Sequence, residues 1–389
     1  MMCIFTPQQP VQLEIRPTFD WRIRIERRLD RDFSGDVNDN RTDMFNRFRP
    51  GITVKYGKNW SGELQYQLAH DEIWRINRTS SDEASDLNLA YVKHKDAQAE
   101  VTVGRQKINI GTERLIGSLE WSMTGRSFDG IRVKAGRWDA FAFKVGVAFP
   151  KPGRTRIVGS TYTSGYGLTS LIFKHDDQSQ PSTDVWTLSH LWQQKKNAWT
   201  SELEGALQTG RASGKSLRAW AIHGGVGYAF NKVTRGTFEV NAASGGGNAD
   251  TSFTFDNLLP TNHKFYGSMD LQSWRNMEEI ALGIEHQLNP KWNLKASWHN
   301  FSLRDASDAW YGAGGGPNSG RFGAFIDSTG QSGRNLGSEL DFEVGYKANP
   351  RVSASAGISL FSPGGFVKAR NGGNADRQTW AFAMLSIKF

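Results

Sequence analysis

The sequence predicts an all-β protein that forms a single transmembrane antiparallel β-barrel of about eighteen strands. Three observations support this fold class. Apolar and polar residues alternate along most of the 389 residues, as they do in strands with one apolar face. Short turns alternate with long polar loops, which is the arrangement of short periplasmic turns and long extracellular loops in bacterial outer-membrane barrels. An alternating strand also runs to the last residue, Phe389.

The composition agrees with a barrel and excludes several other classes of protein. The chain contains 42 glycines and 12% aromatic residues, and the aromatic content excludes a disordered chain. The mean hydropathy is −0.53, and no apolar run approaches the ~18 residues of a membrane helix. A wide barrel has low hydropathy because only alternate wall residues face lipid. The single cysteine, Cys3, excludes a disulfide framework and a thiolate metal cluster.

The two ends of the chain carry different signals. Residues 1–10 are expected to form a separate N-terminal segment, and residues 11–389 the barrel. Residues 1–11 have neither the basic start nor the apolar core of a secretory signal peptide, so no signal peptide is visible. The last strand of an outer-membrane barrel must close the sheet. We therefore expect outer-membrane lipid around the barrel and the barrel-assembly machinery as the partner of the C-terminal strand that ends at Phe389.

Four strands show the alternation most clearly. From Leu13 to Glu26, apolar side chains occupy the odd positions and charged or polar ones the even positions. The same alternation occurs in residues 47–56, 279–288 and 339–347. Each of these strands therefore has one apolar and one polar face. No segment keeps a period of 3.6 residues, so almost no helix is expected.

The number of strands depends on how residues 150–166 are interpreted. If this segment is one loop, the chain has seventeen strands, and the turns counted from the two ends fall on inconsistent sides. Interpreting residues 154–163 as a strand, followed by a turn at residues 164–166, gives eighteen strands and places all long loops on one side. These loops are residues 28–43, 75–85, 107–125, 244–275, 304–337 and 362–376.

Eighteen strands predict a barrel with an aqueous lumen rather than a packed interior. The charged strand faces would then line water, and the apolar faces would meet lipid. A soluble β-sandwich would reverse these faces, and the alternation alone does not distinguish the two. The barrel is favoured by the even strand count, the loop asymmetry and aromatic residues near strand ends that fit interfacial girdles. These aromatic residues are Trp60, Trp138, Phe149, Trp292 and Phe389.

The segment from Val103 to Val133 resembles the alginate-export family of outer-membrane barrels. A Gly-Arg-Gln strand at residues 104–106 leads through a Leu-x-Trp element at residues 119–121 to a Phe-Asp-Gly-x-Arg strand at residues 128–132. Further similar segments are residues 259–267 and 336–349. The resemblance covers nearly the whole chain and implies an eighteen-stranded outer-membrane barrel that is secreted with a signal peptide. The family's exporter passes an anionic polysaccharide through an arginine-lined pore.

Charged residues on the predicted lumen faces are the candidate pore-lining and solute-binding residues. In a narrow channel, rings of charged side chains set the ion preference. The candidates combine a basic cluster with an acidic row on one late strand: Arg22, Arg24, Arg47, Arg49, Lys55, Arg105, Arg132, Lys134, Lys144, Glu339, Asp341 and Glu343. The alternative is that these charges only hydrate the lumen and pair across strands.

These features favour a passive outer-membrane channel for an anionic or sugar-like solute, with an alginate-like polysaccharide as one candidate. The net charge of +8, from 47 basic and 39 acidic residues, fits an anionic partner. The alternative is an outer-membrane barrel enzyme or a surface adhesin with a closed lumen. No catalytic residue, metal site or cofactor is predicted, because no HExxH motif or nucleophile elbow occurs. No basic patch with interleaved aromatic residues suggests nucleic acid as a partner.

Overall fold

The wall of the protein is a closed antiparallel β-barrel of eighteen strands. The computed structural model describes residues 12–35, 39–73, 81–147, 154–178 and 181–389. The expected N-terminal segment, residues 1–10, and Phe149 lie outside the described residues. The strands are Leu13–Leu29 (β1), Arg41–Tyr56 (β2), Trp60–Ile73 (β3), Ser81–Lys95 (β4), Ala99–Gln106 (β5), Ser127–Ala135 (β6), Trp138–Val147 (β7), Arg156–Ser164 (β8), Gly167–Asp176 (β9), Thr183–Lys196 (β10), Trp199–Ala212 (β11), Lys215–Ala229 (β12), Thr234–Ala243 (β13), Met277–Asn289 (β14), Trp292–Ser302 (β15), Asn335–Lys347 (β16), Val352–Pro363 (β17) and Gln378–Lys388 (β18).

Each strand pairs with the next one along the chain, and β18 pairs with β1, so the sheet closes on itself. The predicted fold class and the count of eighteen are confirmed. The strand β8 also confirms that residues 150–166 are not one loop.

The described chain contains little helix, as the sequence predicted. One short α-helix, Gly365–Arg370 (α1), and a single 3₁₀ turn, Asn262–Lys264, lie in the loops. No helix in the described part of the chain is long and apolar enough to cross a membrane.

The two ends of the barrel differ in the length of their connections. At one end, tight turns join the strands, and two of them contain a glycine in the left-handed region, Gly57 at φ 63° and Gly136 at φ 57°. At the other end are loops of residues 30–40, 107–126, 244–276, 303–334 and 364–377. In outer-membrane barrels the short turns are periplasmic and the long loops extracellular. We call residues 107–126 the crossing loop and residues 244–276 the long loop.

The outer surface of the barrel carries an apolar band with aromatic residues at its periplasmic edge. Leu207 is 63% exposed and Val158 is 53% exposed, as expected of side chains that face lipid. Aromatic pairs on neighbouring strands form the periplasmic girdle. The pairs, with their ring-centroid distances, are Trp138–Tyr162 (4.8 Å), Trp199–Tyr228 (4.7 Å) and Trp292–Tyr346 (4.5 Å).

The extracellular half of the interior is packed with apolar side chains. The loops fold into the barrel, where their side chains and inward-facing wall residues form one buried cluster. Its members include Phe128, Phe143, Phe361 and Trp380 from the wall and Ile108, Ile116, Trp274 and Trp310 from the loops. In this half, the inward-folded loops therefore occupy the predicted aqueous lumen. The long loops bury apolar surface against the wall instead of remaining in solvent.

Candidate pore constriction

Four arginines of β1 and β2 form one group on the inner face of the wall. Arg22 pairs directly with Arg47 across the two strands, and directly paired residues project from the same face of a sheet. Arg24 and Arg49 each lie two residues further along the same faces. The four side chains are buried, with exposures between 0% for Arg47 and 9% for Arg22. We call these four residues the arginine cluster.

The crossing loop places a carboxylate on the arginine cluster. Arg49 Nη1 donates a hydrogen bond to Glu120 Oε2 at 2.8 Å, and Arg47 Nη1 lies 3.4 Å from the same oxygen. Lys107 Nζ is 2.5 Å from Glu120 Oε1. Three cationic side chains thus converge on one carboxylate, a charge-assisted arrangement that is stronger than neutral hydrogen bonding.

The backbone of the crossing loop is held by the same cluster. Arg22 Nη1 donates to the carbonyl oxygen of Glu120 at 2.6 Å, and Arg24 Nη1 donates to that of Trp121 at 2.6 Å. The guanidinium of Arg24 also lies 4.2 Å from the ring centroid of Trp121, within cation–π range. Glu120 and Trp121 belong to the Leu-x-Trp element that carries the family resemblance.

The charges around Glu120 determine its protonation. Burial alone would raise the pKa of Glu120, but the positive charges of Lys107, Arg49 and Arg47 lower it well below its ordinary value. Burial, with the neighbouring Arg49 and Arg47, lowers the pKa of Lys107 to about 8, although Glu120 opposes this shift. The side chain of Glu120 is 42% exposed, whereas that of Arg47 beneath it is 0% exposed. Glu120 is therefore an ionised carboxylate on a partly exposed side chain, with its Oε1 buried against Lys107.

The crossing loop is anchored on the opposite wall by Arg114, which is 2% exposed. Arg114 Nη2 lies 3.4 Å from Glu239 Oε2 on β13, and its Nε lies 3.8 Å from Glu204 Oε2 on β11. Its Nη1 donates to the hydroxyl oxygen of Tyr266 in the long loop at 3.3 Å. The crossing loop therefore spans the lumen. Its acidic residue Glu120 contacts the basic wall formed by β1 and β2, and its basic residue Arg114 contacts the acidic wall formed by β11 and β13.

The acidic row on β16 holds the long loop. Glu339 is 0% and Asp341 is 5% exposed. The backbone N–H of Met269 donates to Glu339 Oε1 at 2.8 Å, and that of Ser268 lies 3.4 Å from Asp341 Oδ2. Glu343 lies on the same face, two residues nearer the periplasmic end, and is half-buried. Two of the three predicted acidic residues thus bind protein backbone in this structure.

Three other predicted residues lie on the inner face, outside the arginine cluster. Arg132 and Lys134 occupy the inner face of β6, and Arg132 is paired with Asp139 at 2.6 Å between Nη2 and Oδ2. Lys55 is exposed on the inner face of β2 near the periplasmic turn. It lies roughly 20 Å along the strand from Arg49.

Arg105 lies on the outer face of the barrel, which corrects its predicted position in the lumen. On the paired strands β5 and β6, Val103 and Ile131 face outward and are 53% and 42% exposed. Arg105 and its direct partner Asp129 lie two residues further on the same faces. Arg105 Nε donates to Asp129 Oδ1 at 2.6 Å, and Nη2 donates to Oδ2 at 2.9 Å.

Lys144 also lies on the outer face, contrary to the prediction. Its neighbours Phe143 and Val145 are 5% and 3% exposed, because they pack inward against the buried cluster beneath the loops. Successive strand residues face opposite sides, so Lys144 is exposed on the outside.

Three charged residues of the site, Lys107, Arg114 and Glu120, are not among the residues predicted from the sequence. All three lie in the crossing loop, where no strand period assigns a face. The available signal was the Leu-Glu-Trp element, which contains Glu120.

Below the crossing loop, the periplasmic half of the interior contains a polar cavity of about 480 Å³. Its lining includes Gln193, Glu202, His223, Arg235 and Glu239. Within the described residues, no group of three or more His, Cys, Asp or Glu side chains is placed to hold a metal ion.

The closed barrel, its apolar outer band, its aromatic girdle and its inward-folded loops define a porin-like outer-membrane protein. The family model for alginate export matches residues 15–150 and 157–381. The chain therefore belongs to the alginate-export family, and its location is the cell outer membrane. No curated protein matches the chain by sequence.

Solved structures from Pseudomonas aeruginosa have a similar fold. OccK2 (OpdF) in complex with glucuronate is 12% identical, with 97% of this chain and 98% of that chain covered and a TM-score of 0.63. OpdK with vanillate is 12% identical, with coverages of 96% and 99% and a TM-score of 0.62. The outer membrane protein OprD is 10% identical, with coverages of 96% and 93% and a TM-score of 0.61.

Proposed function

We propose that the protein is a passive outer-membrane channel that selects small anionic solutes at the arginine cluster. The observation that carries this proposal is the partly exposed side chain of Glu120, on whose carboxylate Arg47, Arg49 and Lys107 converge. Arginine recognises carboxylates through their planar geometry. A site that holds one carboxylate therefore suits another of the same shape, so the carboxylate of a solute takes the place of Glu120.

The arginine cluster gives the site its selectivity, and Glu120 allows a bound solute to leave. Conduction requires binding that is strong enough for entry and weak enough for exit. A solute held by Arg49 and Lys107 competes with Glu120, which remains tethered nearby and displaces the solute when it returns. The acidic residues on β11, β13 and β16 face this site from other parts of the wall. Their charges orient an anionic solute towards β1 and β2.

Two comparisons support an anionic solute. The similar structures named with glucuronate and vanillate hold compounds that each carry one carboxylate. The family description favours a second candidate solute, an alginate-like polysaccharide. A polymer would require the crossing loop to leave the lumen, because Glu120 and Arg114 anchor this loop to two different parts of the wall. A small carboxylate requires only local movement of Glu120, so it is the solute that we favour.

Liposome swelling with matched solutes tests the proposed function. Purified protein in liposomes should admit glucuronate faster than glucose, a neutral sugar of similar size. Planar bilayers in a KCl gradient should show anion preference, and a soluble polyuronate should pass or block only if the alternative solute is correct. Equal swelling rates together with cation preference would contradict the proposal. No conductance at all would favour the closed-lumen enzyme or adhesin.

The C-terminal strand β18 is also proposed to bind the barrel-assembly machinery. Phe389 is 55% exposed, and its ring stacks on that of Phe19 at a centroid distance of 4.5 Å. Its side chain is therefore accessible at the periplasmic edge. Phe389→Ala should reduce the amount of assembled, heat-modifiable barrel in cells, and a normal amount would count against this partner.

A further inference from the structure

An unusual pair of like charges lies on the outer face of the barrel. Lys144 on β7 and Arg156 on β8 are direct cross-strand partners, and both side chains are exposed. Like charges directly opposite each other destabilise a sheet unless an anion compensates them. The pair of Arg22 and Arg47 in the lumen has the same arrangement and is compensated there by the carboxylates of Asp20 and Glu120, which both lie against Arg47. We call Lys144 and Arg156 the outer cation pair.

Neighbouring carboxylates in the described structure already have other partners. Asp129 on β6 is the direct cross-strand partner of Lys144 and accepts two hydrogen bonds from Arg105, which also pairs with Asp86. Asp184 on β10 lies two strands from Arg156, and one of its oxygens is 2.7 Å from His175 Nδ1. Lys144 and Arg156 are themselves exposed, so both can bind an anion outside the barrel.

The position of the outer cation pair identifies its surroundings. One step towards the periplasm on the same face are Ala142 and Val158, which belong to the apolar band. From Trp138 in the periplasmic girdle to Lys144, the strand runs roughly 20 Å, and at a strand tilt of about 35–45° this places Lys144 roughly 15 Å above the girdle. The apolar band of such barrels is about 25 Å high. The outer cation pair thus lies in the extracellular half of the band, from which long basic side chains extend to the lipid headgroups.

We infer that the outer cation pair is a binding site for the phosphate group of an outer-leaflet lipid. A phosphate supplies the missing anion, accepts two parallel hydrogen bonds from Arg156 and pairs with the ammonium of Lys144. The apolar surface around Val158 receives the acyl chains of the same lipid. A free anion would use the charges but not this apolar surface, so the lipid is the occupant.

Native mass spectrometry of the detergent-purified barrel with lipid A, a bisphosphorylated glycolipid, tests this site. The double variant Lys144→Gln, Arg156→Gln should bind lipid A about 30-fold more weakly than the wild type, at about tenfold per 1.4 kcal/mol and about 1 kcal/mol per basic residue. The matched control Lys195→Gln, Lys295→Gln removes two exposed lysines from the inner face and should bind lipid A as the wild type does. Dephosphorylated lipid A should bind wild type and double variant equally weakly.

Three results would overturn the inference. One is equal lipid A affinity in the wild type and the double variant. Another is an equal loss of affinity in the control variant. A third is wild-type binding of dephosphorylated lipid A as tight as that of lipid A, which would assign the contact to the acyl chains alone. Heat-modifiable gel mobility verifies folding, and the single variants Lys144→Gln and Lys195→Gln replace the double variants if these do not fold.

Discussion

Replacing Glu120 by glutamine should increase the preference of the channel for anions over cations. The substitution keeps the size of the side chain but removes one negative charge beside the arginine cluster. An ion passing about 6 Å from this charge interacts with it by about 0.7 kcal/mol in a dielectric of ~80 and by about 3 kcal/mol in an effective dielectric of ~20. The lower value already changes the occupancy of each ion about threefold. The occupancy of anions rises and that of cations falls by this factor, so the permeability ratio of anions to cations should rise about tenfold.

The assay is the reversal potential of single channels in planar bilayers under a KCl gradient. The matched control is Glu113→Gln, because Glu113 lies in the same loop but bonds to Thr261 and Lys264 in the long loop. This control should leave the permeability ratio near that of the wild type. If Glu120→Gln leaves the ratio unchanged, the arginine cluster does not control selectivity. If it raises conductance for both ions equally, its role is only to hold the loop.

Three further predictions follow from the loop anchors and the wall. Arg114→Met leaves the buried carboxylate of Glu204 and the half-buried carboxylate of Glu239 without their cation and should destabilise the docked crossing loop by about 3 kcal/mol. Limited proteolysis should then cut this loop, and an unchanged digest would contradict the anchor. Raising the pH from 7 to 9 should weaken anion preference, because Lys107 loses its charge near its pKa of about 8. A Lys107→Arg channel should keep its anion preference over this range. Equal pH dependence of the wild-type and Lys107→Arg channels would refute this cause. Gly104→Ala should lower the free energy of unfolding in urea by at least about 2 kcal/mol. Gly104 has φ +114°, and a Cβ atom at this position would lie 2.2 Å from the carbonyl oxygen of Ala90. The control is Gly136→Ala at an open turn, which should lower the free energy of unfolding by about 1 kcal/mol.

The strand pattern predicted which residues share a face better than it predicted which face is inside. On β1 and β2 the charged faces point inward, and the grouping of Arg22 with Arg47 follows directly from the alternation. On β7 the alternation is just as regular, but the inner face carries Phe143 and Val145 while Lys144 points outward. A period of two does not tell which of the two faces of a strand points into the barrel. Whether the apolar or the charged face points inward depends on whether loops or water fill the barrel at that height.

The other half of the candidate site could not be derived from strand patterns at all. Glu120 contacts Arg22 across 98 residues, and Arg114 contacts Glu239 across 125 residues. Both loop residues belong to a segment without a period, where a charged residue is by default assigned to solvent. Their positions follow from the complementary charges on the two walls, which only the folded barrel brings within reach.

The two anchors of the crossing loop also set an order of assembly. Its basic-wall partners on β1 and β2 precede it in the chain, but the partners of Arg114 on β11 and β13 follow it by roughly a hundred residues. Contacts between segments so far apart carry a large loop-closure entropy, so they form after local strand pairing. The loop therefore docks fully only when the far wall is in place. Until then the crossing loop is not docked on both walls, so the constriction of the lumen forms last.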